Sequence, residues 1–195
     1  MTALAGISSW WKRRILGDQR ARWNHQYATG RWDQLRAAPE QARFAAGARL
    51  LHRHTRGGCV LELGCGEGLL QAHVAPDDHT RWVGVDLSEV AVAAARARAN
   101  NLTRYVAADM TVFEPNEYFD AIVFSESIYY VSKPADLLRR YGAWLNPGGV
   151  FVISIFTTKR SNAVWEQIHA VADPVDSLVT TNALGTWICE VLRLR

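Results

Sequence analysis

Three glycines at every second position, Gly64, Gly66 and Gly68, stand in the stretch LELGCGEG at 61–68. Glycine lets a ligand approach the backbone closely, and a strand that runs into a helix leaves free N–H groups at the start of that helix. The next apolar stretch, RWVGVD, ends at Asp86, which lies 22 residues after Gly64. That spacing fits an acid that binds a ribose diol. The glycines and Asp86 together predict a site for an adenosine-type ligand.

The register of the glycines separates this turn from a dinucleotide-binding turn. The dinucleotide fingerprint G-x-G-x-x-G, counted from Gly64, requires a glycine at position 69, where the sequence has Leu69. Glu62 stands inside the strand that leads to the turn, and a carboxylate there disfavours a pyrophosphate and favours a cationic ligand. Both differences indicate a positively charged nucleoside, and they make an NAD-dependent dehydrogenase the weakest alternative.

The elements that must position these residues alternate between strands and helices. Predicted strands cover 59–63, 81–86, 103–108, 119–125 and 150–156, and predicted helices cover 40–54, 68–74, 89–99, 135–145 and about 161–171. Such alternation implies parallel strands joined by right-handed crossovers. Asn146–Gly149 predicts a turn, and 177–181 is expected to pair with 186–194 as a closing antiparallel hairpin.

The composition limits the class of protein. The chain has 195 residues, a net charge of +3 and 49% hydrophobic residues, which suits one globular domain. The basic excess is nearly all arginine and is spread along the chain, so it gives no specific indication of nucleic-acid binding. Three cysteines without a CxxC spacing predict reduced thiols in a cytoplasmic protein. We expect no membrane span, because no run of about 18 apolar residues is present.

Residues 1–50 differ from the rest in being rich in tryptophan and arginine. Ser8 or Ser9 is expected to cap a short basic helix through Lys12–Leu16. A basic aromatic helix can lie on a membrane surface, but the interpretation we favour is that Trp10 and Trp11 pack against the main domain.

Five stretches resemble, in order and spacing, the motifs of class I S-adenosylmethionine-dependent methyltransferases. They are VLELGCGEG at 60–68, VGVDLS at 83–88, AAD at 107–109, FDAIVFSESIYY at 119–130 and LLRRYGAWLNPGGVFVIS at 137–154. The resemblance implies an α/β, Rossmann-like, doubly wound fold with a mostly parallel seven-stranded sheet of order 3-2-1-4-5-7-6, whose last strand is antiparallel. It also implies S-adenosylmethionine as the cofactor.

The same resemblance implies which residues hold that cofactor. Those around its methionine part are Glu62, Gly64, Cys65, Gly66 and the backbone of Ser125. Those around its ribose and adenine are Asp86, Leu87, Asp109 and Met110. Asp86 would accept hydrogen bonds from both ribose hydroxyls, and Asp109 would bind the adenine amino group. The alternative for Asp109 is a purely local role, as a cap for the turn after its strand.

The stretch RWNHQYATGRWDQL at 22–35 resembles the leader of small bacterial methyltransferases related to nodulation N-methyltransferases and a phosphonate O-methyltransferase. In such enzymes this region folds over the cofactor. The resemblance therefore implies a helical lid over 1–50 and a cofactor-binding core over 51–195. It places Tyr27, Arg31 and Trp32 near the cofactor, with Arg31 as a charge-assisted clamp on the cofactor carboxylate. The alternative for Trp32 is simple aromatic packing.

The reaction implied is an in-line attack of the acceptor atom on the sulfonium methyl group, in which alignment and exclusion of water are the main tasks of the protein. A base is needed only when the acceptor arrives protonated. The candidates are Glu126, Tyr129, Tyr130 and His25. Glu126 and Tyr130 would share a face if their segment is helical. The alternative for both tyrosines is that they only form walls of the pocket.

Several classes of acceptor and of catalyst fit poorly. The fourth motif reads SES and lacks the (D/N)PP(Y/F/W) pattern of enzymes that methylate planar amino groups. His52 and His54 are two apart on a predicted helix, which is a poor spacing for metal ligands, so we expect no metal. Only about 20 residues separate the fifth strand from the hairpin, which leaves no room there for a substrate domain. We therefore expect a small-molecule acceptor, methylated on N or O, and a monomer or homodimer.

Two other classes of function stay open at this stage. An RNA or protein methyltransferase would use the arginines of 12–56 as a binding surface. A non-catalytic module that binds S-adenosylmethionine would need no base, and no single base is identified by the sequence. We expect no nucleic-acid or membrane partner for the function that we favour.

Overall fold

The computed structural model describes residues 18–55 and 57–195, so the expected helix at Lys12–Leu16 and the packing of Trp10 and Trp11 lie outside the described residues. Its centre is a seven-stranded sheet of order β3-β2-β1-β4-β5-β7-β6. The strands are β1 (Gly58–Leu63), β2 (His79–Asp86), β3 (Thr103–Ala107), β4 (Phe119–Ser125), β5 (Leu145–Phe156), β6 (Ala172–Asn182) and β7 (Gly185–Leu194). β7 runs antiparallel to β5 and β6, and all other pairs are parallel. The predicted fold class and strand order are confirmed.

Helices cover both faces of this sheet because the central strands are apolar on both faces. The α-helices of the described residues are α1 (18–28), α2 (Ala38–His54), α3 (Glu89–Arg96), α4 (Pro134–Gly142) and α5 (Ser161–His169). Leu61 and Ile122 belong to the core under α4 and α5, whereas Val60 and Val123 belong to the core under α2 and α3. This arrangement is the doubly wound architecture that the motifs imply.

Helix α2 belongs to the packed core along its whole second half. Leu50 and Leu51 are fully buried in the core on one face of the sheet. The predicted boundary between a lid over 1–50 and a core over 51–195 therefore falls inside a helix. The 3₁₀ turn at Asp33–Arg36 separates this helix from α1.

The predicted helix at 68–74 is wrong, since this stretch forms turns and a single 3₁₀ turn at Gln71–His73. Gly68 has a left-handed φ of 74°, and the residue before Pro76 is extended, as proline requires. The six residues between them are fewer than two turns of an α-helix, so no stable helix can form there.

The stretch Asn146–Gly149, predicted as a turn before a strand, lies within β5. Phe119 pairs with Leu145 and Ala121 pairs with Val150, so the extra residues of β5 form a bulge opposite β4. The closing hairpin is present as predicted and is longer, with Thr181 opposite Thr186 near its tip.

Candidate active site

A cavity of about 590 Å³ opens at the carboxyl ends of the parallel strands, where open α/β sheets bind their ligands. It brings together most residues that the sequence singled out. These are Tyr27, Trp32, Glu62, Gly64, Cys65, Gly66, Asp86, Leu87, Asp109, Met110, Ser125, Glu126, Tyr129 and Tyr130. His25 and Arg31 are not among the residues that line it.

The cavity has two sides, because the chain order of the strands reverses between β1 and β4. We call the ends of β1, β2 and β3, with Glu62, Asp86 and Asp109, the β1–β3 side. We call residues 125–130 with Phe156 and Trp187 the β4–β7 side. Phe156 and Trp187 pair across β5 and β7, which brings the hairpin next to the end of β4.

The turn after β1 has a backbone that only glycine adopts easily. Gly64, Gly66 and Gly68 have φ values of 77°, 52° and 74°. A Cβ on Gly64 would lie 2.4 Å from the Cβ of Ser127, and one on Gly66 would lie 2.7 Å from the Tyr27 hydroxyl. The turn therefore needs glycine for its conformation and for the close approach of its neighbours.

Asp86 ends β2 with its carboxylate held by two backbone amides. Gly66 N donates to Oδ2 at 2.8 Å, and Ser88 N donates to Oδ1 at 2.8 Å. Burial raises the pKa of this carboxyl, and the two amide donors oppose that shift. A carboxylate has about four lone-pair positions, so the oxygens of Asp86 keep acceptor capacity toward the cavity for a pair of hydroxyl donors.

The two carboxylate oxygens of Asp109 have different surroundings. Thr111 donates to Oδ1 through its backbone N and through its hydroxyl, each at 2.8 Å. Oδ2 is buried and has no hydrogen-bond partner among the described residues. An unsatisfied buried oxygen costs free energy, and this one belongs to a residue that lines the cavity. One oxygen caps the turn, and the other can accept from the amino group of a ligand.

Glu62 lies at the inner end of the cavity and is only 2% exposed. Burial is the largest of the causes that raise the pKa of its carboxyl to about 8. The charge of Asp86 adds to burial, and the nearby indole of Trp82 and the charge of Arg43 oppose it. Its Oε2 has no hydrogen-bond partner within the described part of the chain. A ligand that brings a cationic N–H donor would satisfy this oxygen and favour its ionised form.

Glu126 follows β4 and is the non-glycine residue with a positive φ, 56°, among the described residues. Its Oε1 accepts from Ser154 Oγ at 2.8 Å, and its Oε2 accepts from Phe156 N at 2.9 Å and from the Tyr129 hydroxyl at 3.2 Å. Burial raises the pKa of this carboxyl, and these donors oppose the shift. Strain of this kind persists where surrounding contacts fix the residue.

The partner of Glu126 differs from the one expected from helical spacing. Residues Ile128–Tyr130 form a 3₁₀ turn, in which residues three apart lie above one another. Glu126 precedes this turn and is contacted by the Tyr129 hydroxyl, whereas Tyr130 packs against the ring of Trp23 at 5.0 Å.

Arg43 and Glu40 form a buried ion pair in the cavity wall that the sequence did not reveal. Arg43 Nε donates to Glu40 Oε2 at 2.5 Å, and both side chains are at most 10% exposed. The guanidinium of Arg43 lies 3.9 Å from the ring centre of Phe44, and among the described residues its hydrogen bond goes to Glu40 through Nε. Charged residues three apart on a helix usually lie on its exposed face, so nothing in the sequence indicates that this pair turns inward.

Helix α1 borders the cavity through aromatic rings and is tied to α3 at the far side. Trp23 stacks on Trp32 at 5.7 Å. Asn24 Oδ1 accepts from Ser88 Oγ at 2.8 Å, and Arg20 pairs with Glu89. His25 contributes its carbonyl to the turn at the end of α1.

In residues 18–55 and 57–195, no group of three His, Cys, Asp or Glu side chains is arranged to hold a metal ion. No helix in the described part of the chain combines the length and the apolar character needed to cross a membrane.

The sequence matches the family model described as a methyltransferase domain over residues 32–186. An uncharacterized methyltransferase of Mycobacterium tuberculosis is 35% identical over 118 residues, which is 58% of this chain and 59% of the relative. A phosphoethanolamine N-methyltransferase of Arabidopsis thaliana is 33% identical over 99 residues, which is 49% of this chain and 20% of the relative. The chain thus spans less than two thirds of the length of these relatives.

Solved structures share the fold. The 1,6-didemethyltoxoflavin N1-methyltransferase of Burkholderia thailandensis, with bound S-adenosylhomocysteine, has a TM-score of 0.76 and 23% identity over 93% of this chain and 89% of that one. The N-methyltransferase NodS of Bradyrhizobium japonicum, also with S-adenosylhomocysteine, has a TM-score of 0.66 and 20% identity over 84% of this chain and 91% of that one. The resemblance stated from the motifs is confirmed. The chain belongs to the methyltransferase domain family, and S-adenosylmethionine is its cofactor.

Proposed function

We propose that the protein transfers a methyl group from S-adenosylmethionine to an N or O atom of a small-molecule acceptor. One observation carries this proposal. Three carboxylates at the ends of three adjacent parallel strands, those of Glu62, Asp86 and Asp109, border one cavity. Two of them have a buried oxygen without a partner among the described residues. These acceptors match the ammonium and adenine amino donors of the cofactor, and Asp86 matches its ribose hydroxyls.

Each residue that we assign to the cofactor has a defined task in this proposal. Asp86 would hold the ribose, Asp109 Oδ2 would accept from the adenine amino group, and Leu87 and Met110 would lie against the adenine. Glu62, the glycine turn with Cys65, and the backbone of Ser125 would hold the methionine part. When bound there, the cofactor supplies a methyl group activated on a sulfonium sulfur.

Arg43 replaces Arg31 as the residue that we assign to the cofactor carboxylate. Arg43 lines the cavity beside Glu62, and its Nη atoms have no protein acceptor among the described residues. A guanidinium matches a carboxylate as a charge-assisted pair. Arg31 lies 5.8 Å from the ring centre of Trp32 and is not part of the cavity wall.

Glu126 and Tyr129 are the pair that we assign to the acceptor proton. The Tyr129 hydroxyl donates to Glu126 Oε2, so it can accept a proton from the acceptor while it passes its own to the carboxylate. Burial raises the pKa of both groups, which keeps the phenol protonated and moves the carboxylate toward the pKa of a useful base. Tyr130 would form a wall, and His25 has no place in this relay.

Residues 18–37 would act as the lid. Trp23, Tyr27 and Trp32 line the cavity from this segment, and a lid of this kind excludes water from the reacting groups. The contacts that tie α1 to α3, Asn24 with Ser88 and Arg20 with Glu89, are few and partly exposed, which suits a segment that opens to admit ligands. We also propose a cytoplasmic monomer or homodimer, since the cysteines of the described residues are free.

Transfer of a tritiated methyl group tests the proposal. The protein would be incubated with labelled S-adenosylmethionine and, in separate arms, a panel of small phenols and amines, total RNA, and a mixture of denatured proteins. We expect label in a small molecule, and we expect that Glu126→Gln loses transfer while it still binds S-adenosylhomocysteine. Label in RNA or protein alone would replace our proposal by the corresponding macromolecular function, and no transfer in any arm would favour a non-catalytic module.

A further inference from the structure

The aromatic rings of the cavity are unevenly distributed. Eight aromatic side chains line it, and four of them belong to the β4–β7 side: Tyr129, Tyr130, Phe156 and Trp187. The wall next to Asp109, where the proposed function places the adenine, is aliphatic and consists of Leu87, Ala108 and Met110. The ring surface on the β4–β7 side therefore lies away from the only aromatic group of the cofactor.

These rings are fixed in place by contacts between remote segments. Phe156 and Trp187 pack edge to face at 5.0 Å, and Trp187 is only 5% exposed. Tyr129 and Tyr130 pack at 4.7 Å. The hairpin tip is held against the start of α2, because Asn182 Nδ2 donates to the carbonyl of Pro39 at 2.7 Å. Rigid aromatic walls of this kind select a flat ligand by stacking and edge contacts.

The charges around this wall disfavour a cationic ligand. The guanidinium groups of Arg22 and Arg31 lie over the rings of Trp23 and Trp32 at 5.7 and 5.8 Å. Burial raises the pKa of Tyr130, the hydrogen bond with Tyr129 lowers it and the charge of Glu126 raises it, while the charges of both arginines lower it by less. Arg43 adds a third cation, whose partner is Glu40. Glu126 is the opposing charge, since its carboxylate stays negative although three neutral donors bind it. Together with Glu40 it sets two carboxylates against three guanidinium groups.

We propose that the β4–β7 side holds a planar aromatic acceptor whose methylated atom is an acidic ring hydroxyl, as in phenols. This inference rests on the proposed function and specifies its substrate class. The aromatic ring lies against Trp187 and Tyr130, and its hydroxyl meets the Tyr129 hydroxyl. In the transfer an O–CH₃ bond forms and the S–CH₃ bond breaks with its electron pair left on sulfur. The phenolic proton passes through Tyr129 to Glu126.

Calorimetry on the protein saturated with S-adenosylhomocysteine tests this inference with three probes of similar size. The probes are 2-naphthol, its saturated analogue decahydro-2-naphthol, and the cationic 2-(aminomethyl)naphthalene. We expect 2-naphthol to bind about tenfold more tightly than either of the others. It is the probe that combines a flat ring system with the absence of a positive charge. Equal or tighter binding of the saturated alcohol or of the amine would overturn the inference.

Variants show whether the binding uses the proposed wall. Trp187→Leu and the more exposed Tyr130→Leu should each weaken binding of 2-naphthol by about tenfold. Trp144→Leu is the matched control, since Trp144 is half-buried beside Tyr141 and does not line the cavity. It should change the affinity by less than about twofold. Binding of S-adenosylhomocysteine without binding of 2-naphthol would refute this inference alone, whereas loss of both would refute the proposed function as well.

Discussion

The two sides of the cavity are built in different ways. The β1–β3 side comes from one continuous stretch, 62–110. The amides that bind Asp86 and Asp109 belong to this stretch and lie at most 20 positions from them. The β4–β7 side joins segments far apart in the chain, as in the bond between Asn182 and Pro39, 143 positions apart. The first side depends on local backbone geometry, and the second depends on side chains that meet only in the folded protein.

This difference indicates which side of the cavity tolerates sequence changes and which does not. A site made by glycine conformations and amide donors tolerates few changes, because each residue sets the path of the chain. A site made by contacts between remote side chains can change its shape while the fold stays the same. We therefore expect the cofactor to be common to the family and the acceptor to depend on the β4–β7 side.

The largest predicted effect concerns the buried carboxyl of Glu62. Its pKa is raised from 4.5 to about 8 in the folded protein, so the folded state binds this proton more tightly than the unfolded chain does. The stabilisation is complete below pH 4.5 and is lost as the pH rises through 8. Relative to Glu62→Gln, the wild type should lose about 4 kcal/mol between these limits, which denaturant unfolding without cofactor measures.

The glutamine variant is the matched control for this pH dependence. Asp86 and Glu126, whose pKa values burial also raises, contribute in both proteins, and only the difference reports Glu62. If the unfolding free energies of the two proteins changed with pH in the same way, Glu62 would ionise freely. The interpretation of the β1–β3 side as a site for a cation would then be wrong.

The glycine turn should be the next most sensitive feature. Gly64→Ala adds a left-handed alanine and a contact of 2.4 Å with Ser127, which together should cost about 3 kcal/mol of unfolding free energy. Gly148 has the same kind of φ but nothing within 4 Å of its missing Cβ, so Gly148→Ala should cost about 1 kcal/mol. Equal losses in thermal unfolding would mean that the packing of Gly64 against Ser127 contributes nothing.

Arg43 and Arg31 allow a direct test of the cofactor carboxylate. Arg43→Lys keeps the charge beside Glu40 but removes the guanidinium fork, and it should weaken binding of S-adenosylhomocysteine by about tenfold. Arg31→Lys should change this affinity by less than about twofold. Calorimetry that gives the reverse order would return the assignment to Arg31.

The smallest predicted effect lies at the hairpin tip. Asn182→Ala removes two exposed hydrogen bonds, the one donated to the carbonyl of Pro39 and the one accepted from Leu184 N, so it should cost about 1 kcal/mol of stability. Binding of S-adenosylhomocysteine should stay the same, while binding of 2-naphthol should weaken a few-fold. An equal loss for both ligands would show that the two sides of the cavity are not independent.

The contrast between the sides also explains what the sequence could reveal. The places of Asp86 and Asp109 in the cavity wall were predictable, that of Asp86 from its spacing to the glycine turn and that of Asp109 from the resemblance of AAD to a family motif. Arg43 and Trp187 were not, because nothing local distinguishes a buried ion pair or a cavity ring from ordinary helix and strand residues. The predicted helix at 68–74 does not form, because too few residues lie between Gly68 and Pro76.

Binding of S-adenosylhomocysteine to the wild type and to Asp86→Ala, measured by calorimetry, tests whether the cavity at the strand ends holds the cofactor. We expect one site in the wild type and an affinity lower by about a hundredfold or more in the variant, since two hydrogen bonds to a charged acceptor disappear. Asp77→Ala, which changes an exposed aspartate in the turn before β2, should bind like the wild type. No binding by the wild type, or equal binding by Asp86→Ala, would contradict the account.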